Sequence, residues 1–227
     1  MRICLFSDIH GNSDAMERML DMEGHKTDVF IFAGDIFGYF YGQREVIDTF
    51  MSLKNLIAVK GNHEKKYLDK SISEETFDKY GNSYNIVLSD AQEEYLRQLP
   101  DYIEISIDKK RFGIFHGGPR SHLEQRIYPD TEIRDKSMNE QYEFLILGHT
   151  HYRLEKKLGH TTIINPGSLG QPRDGKGFSY CILDTKNGIS LFKSVEIDVQ
   201  KLLSQVRKMD SDRAVCCYLE KKYKETL

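Results

Sequence analysis

The sequence predicts an α/β protein of two packed sheets flanked by helices, on three observations. Short, unbroken apolar runs recur at residues 3–6, 29–33, 56–59, 112–115 and 144–147, each bounded by Gly, Asp, Asn or His. Such runs suit strands buried on both faces. Helical patterning fills the gaps between the first three runs. Beyond Tyr102, strand-like segments follow one another across turn residues, as expected of stacked sheets.

The elements follow in order. The first run, Ile3-Cys4-Leu5-Phe6, leads to Asn12 and Ser13, side chains that cap helices, and then to helical patterning over 15–22. Residues 43–53 place Val46, Ile47, Phe50 and Leu53 at helical spacing. Ser89-Asp90 followed by Glu93 has the form of a capping box for a helix running to Leu99 and stopped by Pro100. Residues 102–107, 112–115, 144–147, 153–158, 161–164, 178–183 and 189–195 read as strands. From Asp198 the tail is helical again, with Val199, Leu202, Leu203 and Val206 on one face and a weaker pattern over 210–223. Without repeats, low-complexity tracts or Pro-rich linkers, one domain over 1–227 is expected, with 198–227 packed on it as a helical extension or serving a homo-oligomer contact.

Composition removes several function classes. Of 227 residues, 39% are hydrophobic and 11% aromatic, enough for a core that needs no disulfides. Lys plus Arg number 32 against 35 Asp plus Glu, for a net charge of -3, whereas a generic nucleic-acid binder is expected to be basic. The N-terminal apolar run is too short for a secretory signal, and no stretch approaches the roughly 18 apolar residues that cross a bilayer. A cytoplasmic protein with no membrane partner is expected. Among four cysteines, Cys4 and Cys181 lie in apolar runs, and the adjacent Cys216 and Cys217 read as packing rather than a strained redox pair.

The chemistry is placed where strands end. Asp8-Ile9-His10 follows the first run, Gly34-Asp35 the second, Gly61-Asn62-His63-Glu64 the third, His116-Gly117 the fourth and Gly148-His149-Thr150-His151 the fifth. Loops at the carboxyl ends of strands collect the binding residues of α/β sheets, so all five clusters can meet at one place. They would deliver Asp8, Asp35, the Asn62 amide oxygen, and His10, His63, His116, His149 and His151, which are five of the eight histidines. Imidazole, carboxylate and amide oxygen form a set of intermediate hardness suited to Mn²⁺, Fe, Co, Ni or Zn²⁺. Even seven of these eight groups are too many for one transition ion and suit two, with one carboxylate bridging. Singly, each cluster has a bland reading as cap, turn or paired histidines. The set, in order and always after a buried run, does not.

These clusters, Asp8-x-His10, Gly34-Asp35, Gly61-Asn62-His63-Glu64, His116-Gly117 and Gly148-His149-x-His151, resemble the calcineurin-like metallophosphoesterase superfamily. Asn165-Pro166-Gly167-Ser168 and Gln171-Pro172-Arg173 resemble its small bacterial and archaeal phosphodiesterase-like branch. The resemblance spans residue 2 to about residue 183 and implies a four-layer α/β/β/α sandwich of two mixed sheets. It implies that Asp8, His10 and His151 hold one divalent metal and Asn62, His116 and His149 a second, with Asp35 bridging. His63 would face the substrate and stabilise or protonate the leaving oxygen. Manganese is the first expectation, with Fe, Ni, Co or Zn as alternatives.

The implied activity is hydrolysis of small phosphodiesters or phosphomonoesters, including nucleotide-derived ones. A water shared by two metals would lose a proton near neutral pH and attack phosphorus, at a site carrying about +1 by formal count. The rival class is a protein-binding scaffold, since the retromer scaffold subunit resembles the same fold. Degraded sites lose ligands, and all seven positions here retain ligating side chains. The aromatic loop 36–41 reads as packing, with cleft lining as the alternative. Segment 120–139 reads as a second cleft wall or as a surface loop. Ser168 and Arg173 receive no role, and His25, His122 and His160 read as solvated surface.

Overall fold

A computed structural model describes residues 1–75, 80–133, 141–210 and 214–223. Strand β1 (Arg2–Phe6) sends Cys4 and Phe6 to one side and Ile3 and Leu5 to the other, all four fully buried. A strand of period two with both faces dry requires cover on both. Two parallel neighbours follow it on one side, β2 (Val29–Phe32) and then β3 (Leu56–Ala58).

The second sheet consists of β4 (Tyr102–Ile107), β5 (Lys110–Phe115), β6 (Phe144–Ile146), β7 (Arg153–Leu158) and β8 (Thr161–Pro166) in the order β4-β5-β6-β8-β7. Strands β5, β6 and β8 run parallel, while β4 and β7 pair antiparallel at the edges. Strands β9 (Phe178–Asp184) and β10 (Ile189–Val195) return to the first sheet, which reads β10-β9-β1-β2-β3. Both sheets are mixed, as expected, and each has five strands.

The layers are visible in the contacts. Ile3, Leu5, Ile31 and Val59 of the first sheet interleave with Phe112, Ile114, Phe144, Ile146 and Ile164 of the second. Helices α1 (Ser13–Glu23) and α2 (Gln43–Ser52) cover the outer face of the first sheet with Met16, Met19, Val46, Ile47 and Phe50. Each such large side chain contributes roughly 1.5–3 kcal/mol on burial. On the second sheet's outer face, among the described residues, Ile127 and Tyr142 join Leu145, Leu154 and Ile163.

Helix α3 (Asn62–Leu68) was not foreseen, because its first turn reads locally as a Gly-Asn turn. In helix α4 (Asp90–Gln98) the capping partner of Ser89 is Gln92, not Glu93. With Ser89 at the N-cap, the third helical residue is Gln92, and Glu93 instead pairs with Arg97 at 3.2 Å. The tail forms α5 (Val199–Asp210), whose Leu202, Leu203 and Val206 join the first sheet's outer core, and α6 (Ala214–Tyr223). No helix among the described residues is long and apolar enough to cross a membrane.

The parallel strands of the two sheets end side by side. Asp8 N–H donates to the Gly34 carbonyl at 2.9 Å, joining the loops after β1 and β2. Gly148 N–H donates to the His116 carbonyl at 2.9 Å, joining those after β6 and β5. His149 N–H crosses between sheets to the Asp8 carboxylate at 3.1 Å.

Candidate metal centre

The structure brings all eight expected residues to this junction. Asp8, His10, Asp35, Asn62, His63, His116, His149 and His151 are each no more than 7% exposed. Five of them hold left-handed backbone: Asp8 (φ 52°), His10 (50°), Asp35 (71°), His149 (68°) and His151 (62°). Non-glycine residues there cost about 1–3 kcal/mol each, so the neighbouring layers must hold them.

Three of the five rings are aimed by backbone carbonyls at their far nitrogen. His10 Nδ1 meets the Phe37 carbonyl at 2.5 Å, His116 Nδ1 the Ala33 carbonyl at 2.8 Å, and His151 Nδ1 the Gln171 carbonyl at 2.6 Å. A carbonyl accepts only, so each of these Nδ1 atoms donates, and in the neutral ring Nε2 is left as a lone pair. His10 Nε2 and His151 Nε2 then face one another at 3.1 Å. Around His116 Nε2 lie Asn62 Oδ1 at 3.1 Å, His149 Nδ1 at 3.2 Å and Asp35 Oδ2 at 3.2 Å. His149 Nε2 is buried without a hydrogen-bond partner.

Facing lone pairs are satisfied only by something positive between them. Two nitrogens about 2.1 Å from a shared cation lie about 3.0 Å apart at a right angle and 3.4 Å at the tetrahedral angle. The observed 3.1–3.2 Å spacings fit that edge. Two groups offer ligand atoms mutually within 4.8 Å: Asp8, His10, Asp35 and His151, and Asp35, His116 and His149. Asp35 belongs to both. Its Oδ1 accepts the His63 N–H at 3.0 Å, while Oδ2 lies 3.8 Å from His10 Nε2 and 3.2 Å from His116 Nε2.

The fold and this donor set coincide with a family pattern: residues 1–188 match the calcineurin-like phosphoesterase superfamily domain. The chain belongs to that superfamily. Uncharacterized protein MJ0912 of Methanocaldococcus jannaschii is 30% identical over 228 residues, covering 91% of this chain and 92% of its own. Phosphodiesterase MJ0936 of the same organism is 28% identical over 175 residues, covering 74% and 83%. A metallophosphoesterase from Sphaerobacter thermophilus superposes with a TM-score of 0.78 at 27% identity, covering 96% and 98%.

In this phosphoesterase, burial opposes every charge at the centre, and neighbours decide the outcome. Burial alone would raise Asp35, but His116, His63 and His10 hold it well below the usual carboxylate range. The same contest, decided by His151, brings Asp8 down to about 2. Burial, with neighbouring imidazoles, lowers His10 to about 4 and His149 to about 3, so both stay neutral. Burial would lower His116 too, but Asp35 beside it raises it to about 10. A proton on His116 is thus what the metal-free site uses to satisfy Asp35.

Several contributors have no role in the expectation from sequence. Glu64, fully buried, accepts from the backbone N–H groups of Gly61, Asp35, Ile36 and Phe37 at 2.6–3.1 Å, tying the loops after β2 and β3 together. Ser168 Oγ donates to the Asp8 carbonyl at 2.7 Å, a positioning role not assigned from sequence. The centre opens into a cleft of about 290 Å³ lined by Tyr39, Tyr80, Tyr128, Lys66, Arg126 and Arg173, among others. Arg173 therefore lies at the site from which the sequence reading omitted it. The aromatic loop divides: Phe37 and Phe40 are core, while Tyr39, with φ 56°, turns to the cleft and packs edge-on to His10. Segment 120–139 supplies Glu124, Arg126 and Tyr128 to the wall, and its residues from 134 on lie outside the described ones. His25 and His160 are exposed, but His122 is half-buried against Tyr102 and Phe115, correcting the solvated expectation. Cys217 is an exposed free thiol, and the Cys216 side chain lies outside the description.

Two outcomes follow. A Cβ on Gly61 would lie 2.0 Å from Asp35 Oδ1, so Gly61→Ala should weaken Mn²⁺ binding roughly 10- to 100-fold with the fold retained; unchanged affinity in a titration would show that Asp35 need not hold this position. Below the raised His116 value the metal-free protein carries that proton, so cation binding at pH 7 should expel it and tighten as pH rises. Calorimetry in buffers of different ionisation enthalpy measures the release, and buffer-independent heats would contradict it.

Proposed function

We propose that this phosphoesterase is a binuclear-metal hydrolase of small phosphodiesters or phosphomonoesters. In this reading Asp8, His10 and His151 would hold one divalent cation and Asn62, His116 and His149 the other, with Asp35 shared between them. The observation that carries it is the pair of inward lone pairs on His10 and His151, 3.1 Å apart with both Nδ1 atoms already donating. Manganese is the first choice, with Fe, Ni, Co or Zn serving the same set. When bound, the two cations supply an activated water and neutralise charge on phosphoryl oxygens.

The chain's own residues do the rest. Asp35 places one oxygen between both ligand groups while its other oxygen anchors the start of α3 through the His63 N–H. His63 projects its Nε2 to within 3.8 Å of Asp35 Oδ2, beside the reacting phosphoryl group, where it stabilises the leaving oxygen. Lys66, Arg126 and Arg173 draw the anion into the cleft, and Tyr39, Tyr80 and Tyr128 offer faces for an aryl or nucleotide-derived group. The helices over 198–227 belong to the same domain on this reading. The complete inward-facing ligand set supports an enzyme over a scaffold.

Turnover of bis-aryl and mono-aryl phosphates after Mn²⁺ loading tests the reading. Wild type should hydrolyse at least one class, Asp35→Asn should abolish turnover, and His63→Ala should lose roughly 10²- to 10⁴-fold in kcat with metal retained. A loaded wild type without turnover, or an active Asp35→Asn, would sink it.

A further inference from the structure

We infer that Tyr84 is a positioning residue that sets the ring tautomer of His63, donating its hydroxyl to Nδ1 so that Nε2 carries the proton toward the substrate. The inference deepens the reading above and rests on His63 facing the phosphoester. Tyr84 Oη lies 2.5 Å from His63 Nδ1, and Tyr84 is 5% exposed. Which imidazole nitrogen is protonated is set by the bond the other makes. On its far side, His63 Nε2 faces the carboxylate oxygen Oδ2 of Asp35 at 3.8 Å. A lone pair there would be repelled and an N–H attracted, so both ends of the ring favour the same tautomer.

The ring is also held in place. It lies parallel to Tyr84, with centroids 5.9 Å apart and an interplanar angle of 15°, and edge-on to Tyr80 at 4.8 Å and His10 at 4.9 Å. A phenol in this role orients the ring without adding a second negative charge near Asp35. Tyr84 keeps its own proton, because the role is hydrogen bonding and no transfer is involved.

The rear anchor comes from the C-terminal helices. Tyr84 closes the short helical turn Gly81–Tyr84, in which the Asn82 backbone N–H and side-chain amide both donate to Asp210 at 2.8 Å. The Tyr41 hydroxyl donates to the same carboxylate. Gly81, at φ 58°, permits the approach, since a Cβ would lie 2.4 Å from Asp210 Oδ2. Asp210 is buried and lies beyond residues 1–188 that match the family, so a part of the chain outside that match supports the wall that aims His63.

The test is ¹⁵N NMR of the histidine rings in metal-free and Zn²⁺-loaded protein, with His63 assigned by the signal lost in His63→Gln. Wild type should show a protonated Nε2 and a pyridine-type Nδ1, and Tyr84→Phe should mix the tautomers while keeping the stacked ring. In turnover, Tyr84→Phe should lower kcat roughly tenfold for alkyl leaving groups and less for 4-nitrophenyl, with KM and metal content unchanged. A wild-type Nδ1–H ring, or a tautomer unmoved by Tyr84→Phe, would overturn the inference. If Tyr84→Phe does not fold, the wild-type spectrum decides alone. A wild type that turns over no phosphoester would sink the functional reading, while the spectra would still settle the tautomer.

Discussion

The constraint on which the rest of the structure depends is the convergence of acceptor atoms in a dry pocket. Inward-facing imidazole nitrogens and the carboxylates of Asp8 and Asp35 crowd within 3–4 Å of one another, at residues almost wholly withdrawn from water. Left to themselves such atoms repel, and burial makes the repulsion stronger. Three devices keep them together. Backbone carbonyls of Phe37, Ala33 and Gln171 fix the Nδ1 protons. Glu64 ties the loops after β2 and β3 through four N–H groups. The two-sheet core between β1 and β5 supplies the rigidity against which left-handed residues are held. Positive charge placed among these acceptors would relieve that repulsion.

Beyond the candidate ligands, the cleft is made by elements that contribute none of them. Tyr39 arrives on the aromatic loop, Tyr80 precedes the turn Gly81–Tyr84, and Arg173 follows Gln171, whose carbonyl orients His151. The C-terminal helices brace two of these pieces from behind: Asp210 holds Asn82 and Tyr41, and the Lys222 ammonium donates to the Gln171 side chain and to the Pro172 carbonyl at 2.6 Å. Changes in the tail can therefore reach the cleft wall through side-chain placement without touching a candidate ligand.

The strands and ligand clusters were legible because each cluster abuts an unbroken apolar run, a purely local pattern that a buried strand imposes. Asp8 after Phe6 and His116 after Phe115 are instances. What was illegible depends on distance in the chain. The His63–Tyr84 pair spans 21 positions, and the Asp210–Asn82 pair spans 128, with no composition signal at either end. Helix α3 was hidden because Gly61-Asn62 has the local chemistry of a turn, although Glu64 at its third position is a helix-start signal. His122 reads as surface because most residues around it in sequence, Arg120, Ser121, Glu124 and Gln125, are polar, while its spatial neighbours, Tyr102 and Phe115, are aromatic.

The central claim is that these acceptors are arranged around two cations. Crystals grown with Mn²⁺ and measured at the manganese edge test it directly. The account predicts two anomalous peaks, one among Asp8, His10 and His151 and one among Asn62, His116 and His149, each within about 2.3 Å of Asp35 Oδ2. A single peak, or two that do not share Asp35, would contradict it.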